Sequence, residues 1–436
     1  MGRHRAEAVG AVIFVLALAA LSVGLRQPGE LYFDETWYVP AARELLHTGA
    51  MLRQEHPPLG KLLIALSIAI FGDNPIGWRA LDCLFGALTL TGMYAWTLAM
   101  TRSMLWGVFA ALLGFLGAVV YVQARIAMLD MFLMGFGMWA LVFFTKSLEE
   151  GLPARRAFHW LLATGVCLGL STACKVSGAF LWVGLLAIAA LVALMRHWQA
   201  SFATPGVDDF ASPARWKGLR LAQGLVALIT VPILVYAATY AQQTIHSGNL
   251  GEIFASHIRM HDILSGDPGT HPYSSPWWKW PALIRPVWYY FNIPGGDAET
   301  WSATLPAFGV VALPNPFLTL AGEMTIALAL TQWATTRSLN ALLVAIAFFS
   351  QYLPWIIDPK GLEFSFYFFP SLLALPPALA VACAGIERPA PRRAMAGILL
   401  LGGAGCFVFF LPMLTAAIGN LTPDAFAARM WLPTWR

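Results

Sequence analysis

Apolar runs long enough to cross a bilayer alternate with short polar stretches along the whole 436-residue sequence. A helix of roughly 20 apolar residues spans a hydrocarbon core about 30 Å thick. Runs of that length centre on Val15, Ala87, Leu112, Gly135, Val166, Leu185, Ile229, Ala327, Ala345, Leu373 and Gly402. The pattern predicts an all-α integral membrane protein of about eleven transmembrane helices, built as one transmembrane domain over residues 1–436. The first run, AVGAVIFVLALAALSVGL, is long, lacks a small-residue cleavage site and is followed by further spans. It reads as a retained anchor, not a signal peptide.

Two polar stretches interrupt the pattern. Residues 27–75 contain LYFDETWYVPAARELLHTG, with the adjacent carboxylates Asp34 and Glu35. Residues 242–301 are too polar to span, yet hold HPYSSPWWKWPALIRPVWYYFNIPGG. Tryptophan and tyrosine favour the water–lipid boundary, so this loop is expected to lie along the membrane surface, with amphipathic helices in both outer loops.

Charge sets the orientation. With the N-terminus in the cytoplasm, Arg3, Arg5, Arg102, Lys146, Arg155, Arg156, Arg196, Arg215, Lys217, Arg220, Arg337, Arg388, Arg392 and Arg393 fall in inner loops, as the positive-inside rule requires. Residues 27–75, the turn around Arg125, residues 242–301, the DPKGLE turn and the C-terminal tail then face outward, so any chemistry there is extracytoplasmic. Soluble nucleotide donors are cytoplasmic, and neither a Walker A loop nor a strand followed by GxGxxG occurs.

Composition narrows the classes further. At 58% hydrophobic, 11% charged and a mean hydropathy of +0.65, the chain is no ordinary soluble domain. Basic residues are dispersed instead of forming one patch, which excludes nucleic acid as a partner. The five cysteines lie inside apolar runs without metal-ligand spacing and read as small buried hydrophobes.

The outward face collects the candidate chemistry. Pro40 and Gly49 bracket a helix expected within Pro40–Thr48, which leaves Asp34 and Glu35 too far upstream to cap it. EHPPLGK sets His56 and Lys61 around a rigid Pro-Pro pair. Arg79 opens one span, and Arg125 and Asp130 lie near the start of another. Arg125 and Asp130 are five apart, roughly 140° around a helix, so each needs its own partner. Charges at spans are costly unless paired or lining a wet cavity, so their collection on one side indicates a polar pocket. Lys61, Arg79, Arg125 and Arg285 have the donors a phosphate requires. His257 and His261 share i,i+4 spacing, a weak metal signal.

These residues resemble a family, the protein O-mannosyltransferases that use dolichyl- or polyprenyl-phosphate mannose. The resemblance rests on FDETWYVPAARELL, HPPLGKLLIALSIAIFGDNPIGWRALDCLFGALTL, ARIAMLDMFLM and HPYSSPWWKWPALIRPVWYY, in family order. It implies the GT-C type of multispanning fold and an extracytoplasmic glycosyl transfer in which Asp34 is the general base, with Glu35 holding the acceptor or orienting Asp34. His56, Arg79 and Arg125 would sit by the donor phosphate. Asp130 matches an acidic position that in the wider superfamily helps to bind a divalent metal, which would be Mg²⁺ or Mn²⁺. Tyr38, His257, His261, His271, Tyr273, Trp277 and Trp278 are the candidates for the donor or acceptor pocket.

A carboxylate acting on the acceptor hydroxyl, with a phosphate leaving group that needs no general acid, implies inversion at the sugar. The implied partners are a polyprenyl-phosphate-linked sugar, membrane lipid, a protein or lipid acceptor, and a second copy in a homodimer. Residues 242–301, about sixty in all, are too few for the soluble domain that eukaryotic members carry in this loop, so the resemblance is to a short, bacterial-type member. The chain departs from the family at DPKGLE, with Lys360 and Glu363, and at ALPNPF. Two other readings stand beside it. One keeps the chemistry with another sugar and a lipid, polysaccharide or small amphiphile as acceptor. The other is a transporter or lipid-binding scaffold, against which the sequence shows no internal repeat.

Overall fold

The computed structural model describes residues 2–197, 209–210, 212–266, 269–297, 299–302, 304–357, 362–417 and 421–436. The apolar runs fold as helices, beginning with α1 (Gly2–Ser22). The first polar stretch supplies α2 (Glu35–Thr48) and α3 (Leu59–Phe71), both too short to span. There follow α4 (Pro75–Thr101), α5 (Met104–Leu116), the short α6 (Val119–Gln123), α7 (Leu129–Ser147), α8 (Ala154–Cys174) and α9 (Gly178–His197).

The run around Ile229 is less regular: α10 (Leu221–Leu225) passes through a π-turn, Val226–Thr230, into α11 (Val231–Ala238). Pro232 explains the local rearrangement. It has no N–H for the carbonyl four residues earlier, and the Trp182 indole donates to that Leu228 carbonyl instead, at 2.6 Å.

The second polar stretch holds α12 (Ala241–Ser247) and α13 (Glu252–Ser265), followed by β1 (Val287–Asn292), which pairs antiparallel with β2 (Phe308–Ala312). This sheet departs from the expected all-α architecture. The run VWYYF is β-branched and aromatic, which favours a strand. The chain continues through α14 (Pro316–Thr336), α15 (Leu339–Tyr352), α16 (Pro354–Ile357), α17 (Phe369–Leu372), α18 (Leu375–Ala384), α19 (Pro389–Leu414) and α20 (Pro423–Ala427).

Among the described residues nine helical stretches are long and apolar enough to cross a membrane, and they contain nine of the eleven expected centres. Leu112 falls in α5, which has 13 residues. Ala327 falls in α14, whose 21 residues are long enough but are diluted by Thr319, Glu323, Thr325, Thr331 and Gln332. The chain is an integral membrane protein.

At the centre α7 packs against α4 and α8, α4 against α1 and α5, and α8 against α11; α14 lies against α15 and α18. Glycine sets the closest approach. A Cβ on Gly86 of α4 would lie 2.4 Å from that of Ala124 and 2.9 Å from Leu21 Cδ1, and one on Gly60 of α3 would lie 2.6 Å from Leu129 Cδ2. The turn from Ala124 to Leu129 is therefore pressed between α3 and α4.

Asn315 ties the start of α14 to the end of α5 and to the middle of α19. Its amide donates to the carbonyls of Leu116 and Gly403, both at 2.9 Å, while its oxygen caps α14 through Leu318 N–H at 3.2 Å. Its place in ALPNPF is thus explained as an N-cap before Pro316 at the first helical position.

Gly86→Val is expected to destabilise the fold by about 2 kcal/mol through overpacking, read as a lower midpoint in thermal unfolding of the detergent-solubilised protein. An unchanged midpoint would show that α4 can separate from the Ala124 turn without cost.

Candidate active site

The helix α2 starts at Glu35, five residues before the expected Pro40, and Pro40 lies inside it. Pro40 cannot bond the Thr36 carbonyl, but both residues are exposed, so the missing bond faces outward and the helix continues. Asp34 occupies the N-cap position, a correction to the sequence reading: its carbonyl accepts from the Trp37 and Tyr38 amides, each at 3.0 Å. Its side chain makes no capping bond. Phe33 has a left-handed φ of 48°, uncommon for a bulky residue and a mark of local strain beside a functional group.

The two carboxylates that are neighbours in sequence have opposite surroundings. Glu35 is fully buried and accepts from Arg79 Nε at 2.7 Å and Nη2 at 2.8 Å, and from Ala127 N–H at 2.9 Å. Arg79 spends its remaining donors on the carbonyls of Leu25 (3.0 Å), Pro28 (2.8 Å) and Glu30 (3.2 Å). All five guanidinium N–H groups are engaged, so Arg79 has no donor for a phosphate, and both oxygens of the buried Glu35 already accept bonds. They form a buried structural pair.

Arg125 is likewise committed. It donates to the carbonyls of Leu21 and Val23 at the end of α1, both at 2.6 Å, and to the Thr415 hydroxyl at 3.1 Å, with the Tyr121 ring 5.1 Å from its guanidinium. Lys61, fully buried, donates to the carbonyls of Arg53 and His56 (2.9 Å for the latter). It shapes the loop that carries Glu55 and His56 instead of facing an anion.

Asp130, in the first turn of α7, pairs with Lys175 at 3.0 and 3.3 Å through its two oxygens. Lys175 follows α8, buried against Phe366 and Tyr367, whose ring centres lie 5.4 and 5.0 Å from its ammonium. The residues present do not fit a metal centre: both Asp130 oxygens face an ammonium, and among the described residues no three His, Cys, Asp or Glu side chains converge. Asp82 is a further buried acid, below Arg79 on α4. One of its oxygens is 3.4 Å from Met128 N–H and the other has no partner among the described residues.

Asp34 remains, half-buried and without a hydrogen bond to its side chain among the described residues. Burial raises its carboxyl to about 7; the Lys175 ammonium opposes the rise, and Asp130 and Glu55 add to it. Tyr38, one turn along α2, is buried beside it, with the His56 ring 6.4 Å away. Behind it stands an aromatic wall: Phe33 stacks on Tyr289 at 4.3 Å and meets Phe366 edge-on at 5.7 Å.

The second loop contributes less to this centre than its sequence suggests. His257 bonds the Tyr236 hydroxyl at 2.8 Å and its own helix at Ile253 O, and His261 faces Asp262 and Ser265. His271 accepts from the Tyr273 amide and packs on Phe364. Arg285 donates to Pro272 O at 2.6 Å. Trp277 is tied to the far rim, its N–H bonding Glu363 at 3.2 Å and its carbonyl accepting from Tyr352, whereas Trp278 is exposed. Lys360 lies outside the described residues.

Sequence reasoning missed Lys175 and Tyr289. Lys175 had a signal, a lone cation closing an apolar run on the side that holds Asp34. Tyr289 had none, since it reaches the site through strand geometry.

Removing Arg79 should leave Glu35 charged, buried and unpaired, so Arg79→Met is expected to cost about 3–5 kcal/mol. Glu35→Gln in the same chain should recover part of the lost thermal midpoint. An Arg79→Met protein with a wild-type midpoint and only a weakened donor KM would instead return Arg79 to the phosphate.

Comparison with known proteins places the chain by sequence and by fold. Residues 11–249 match the dolichyl-phosphate-mannose-protein mannosyltransferase family, and residues 249–435 match the C-terminal four-transmembrane region of protein O-mannosyltransferases. A polyprenol-phosphate-mannose–protein mannosyltransferase of Mycolicibacterium smegmatis is 26% identical, covering 100% of this chain and 94% of the relative. That of Corynebacterium glutamicum is 26% identical over 98% and 93%. In fold, the chain superposes on the Saccharomyces cerevisiae Pmt1–Pmt2 complex bound to the sugar donor with a TM-score of 0.80 at 14% identity, covering 99% of this chain and 93% of that one. ArnT of Cupriavidus metallidurans bound to undecaprenyl phosphate gives 0.59 at 17% identity, over 93% and 70%. With more than half its length matched by the family and all of it by full-length relatives, the chain belongs to the dolichyl-phosphate-mannose-protein mannosyltransferase family, as a bacterial-type member.

Proposed function

We propose that the protein transfers mannose from a polyprenyl-phosphate donor to a serine or threonine hydroxyl of a protein, with Asp34 as general base. The observation that carries the reading is the state of Asp34: a half-buried carboxylate, free of hydrogen bonds among the described residues, on a face where Glu35 and Asp130 are already paired with cations. The family and the names of the relatives support mannose, the lipid phosphate and the protein acceptor.

The acceptor oxygen attacks the anomeric carbon while its proton passes to a carboxylate oxygen of Asp34. The bond from that carbon to the phosphate oxygen breaks, and its electron pair stays on the lipid phosphate. Proton transfer to a positioned base contributes about 10²–10⁴-fold. The phosphate gains charge as it leaves, so a cation placed beforehand lowers the barrier more than it tightens ground-state binding. Lys175 is the cation nearest this role: two of its contacts go to Asp130, and an ammonium has three donors. Attack opposite the leaving phosphate inverts the anomeric centre.

In this reading the face that carries Asp34 is the periplasmic face of a bacterial inner membrane. The opposite ends of the spans hold Arg102, Lys146, Arg155, Arg156, Arg337, Arg388, Arg392 and Arg393, which supports that orientation.

Purified wild type and Asp34→Asn, given radiolabelled polyprenyl-phosphate mannose and the native periplasmic and membrane fractions, test both the base and the acceptor. Label should enter protein with wild type and fall at least about 100-fold with Asp34→Asn. Label extracted with lipid would move the acceptor to a lipid, and equal transfer by both proteins would remove Asp34 from the mechanism.

The base works only when ionised, so kcat/KM should rise about tenfold per pH unit below the Asp34 pKa near 7 and level off above it. A profile flat from pH 5 to 8 would contradict a base with this environment.

A further inference from the structure

At the C-terminal end of the chain the polar contacts of Thr434 and Trp435 converge on residues 283–288, the start of β1 and the segment that leads into it. Leu421 forms an antiparallel bridge with Ala307, next to β2. The Thr434 hydroxyl donates to the Ile284 carbonyl, and the buried Trp435 indole donates to the Leu283 carbonyl at 2.6 Å. The carbonyl of Trp435 accepts from the Trp288 indole at 2.8 Å. Leu283 holds a left-handed φ of 50°, a conformation that persists only where surrounding contacts enforce it. The Trp435 ring lies 6.0 Å from Trp431 and 5.9 Å from Phe410, so the segment is anchored on the end of α19.

The opposite side of β1 faces Asp34. A register shift between Trp288 and Tyr290 leaves Tyr289 outside the ladder, and such bulges re-aim a side chain. Tyr289 accepts from the Gln123 amide at 3.2 Å and stacks on Phe33, the residue before Asp34. We propose that Thr434 and Trp435 are positioning residues for Asp34: they fix the carbonyls that start β1, β1 presents the bulged Tyr289, and Tyr289 holds Phe33 and the carboxylate beside it. This rests on the reading of Asp34 as the base.

The groups facing Asp34 are Tyr38 from α2, Glu55 from the loop before α3, Asp130 from α7, Lys175 after α8, Tyr289 from β1 and Tyr367 from the 3-10 turn Ser365–Phe368. Of these the clasp that Thr434 and Trp435 form on residues 283–284 bears on Tyr289 alone. Loosening it admits water to Asp34 while leaving the charges in place. The carboxyl, raised chiefly by burial, then returns toward its ordinary range and the acid limb of the rate profile moves to lower pH.

The test uses the full chain with Trp435→Ala, Thr434→Val and Thr434→Ser, measured by hydrogen exchange and by the pH profile of mannose transfer. In Trp435→Ala and Thr434→Val, exchange should rise both in residues 283–292 and in the remote residues 30–38, and the acid limb should fall by roughly half a pH unit. The Trp435→Ala substitution should also lower kcat about tenfold. Thr434→Ser keeps the hydroxyl and should match wild type. Faster exchange confined to residues 283–292 with an unmoved limb would overturn the proposal. If Trp435→Ala does not accumulate, the valine and serine pair decides alone. A wild type without mannose transfer would sink the enzymatic reading, and the exchange at residues 30–38 would still decide the clasp.

Discussion

The bidentate pair between Glu35 and Arg79 is the contact on which the site face depends. It joins α2 to α4, gathers the carbonyls of Leu25, Pro28 and Glu30 around one guanidinium, and lets Glu35 hold the Ala127 amide. Burying two charges costs desolvation that their attraction repays only when every remaining hydrogen-bonding site is filled, and here all five Arg79 donors are. The pair therefore contributes geometry more than net stability. It fixes the rotation of α2 about its axis, and so where the residue before Glu35 points.

The same accounting runs through the other charges. Arg125 closes the end of α1, Lys61 shapes the loop that carries His56, and Lys175 satisfies Asp130. Each of these cations is tied to a carbonyl or a carboxylate, as the low dielectric demands. Against that background stands Asp34, an acid whose side chain bonds nothing among the described residues, set on a strained turn among aromatic rings and proposed above as the base.

Much of this was legible in the sequence because membrane burial writes a long, coarse signal. Nine span centres and the separateness of Arg125 and Asp130 follow from hydropathy and helical geometry. The roles of Arg79 and Arg125 did not, because a cation that binds phosphate and one that caps carbonyls look alike until the partners are placed. The start of α2 was misread because Pro40 was weighed as a helix opener, whereas its exposed position lets it sit inside. Tyr289 and Trp435 act through a bulge and a returning tail, contacts between residues far apart in the chain that no local pattern encodes.

The ionisation of Asp34 links chemistry to folding. Its carboxyl titrates near 7 in the folded protein and near 4 when unfolded, so the folded state binds the proton more tightly. That contribution to stability is complete below the unfolded value and is lost as the pH rises through the folded one. A base must work on the side of the transition where the contribution has gone. The charged form is thus the less comfortable one for the fold. It is tolerated because the opposing Lys175 ammonium lies close by and because the Glu35–Arg79 pair, the pressed Ala124 turn and the wall of Phe33 and Tyr289 prevent the carboxylate from relaxing into a capping bond or out into water. A carboxylate kept from both outlets retains its affinity for a proton, which is the property the proposed role as general base requires of it.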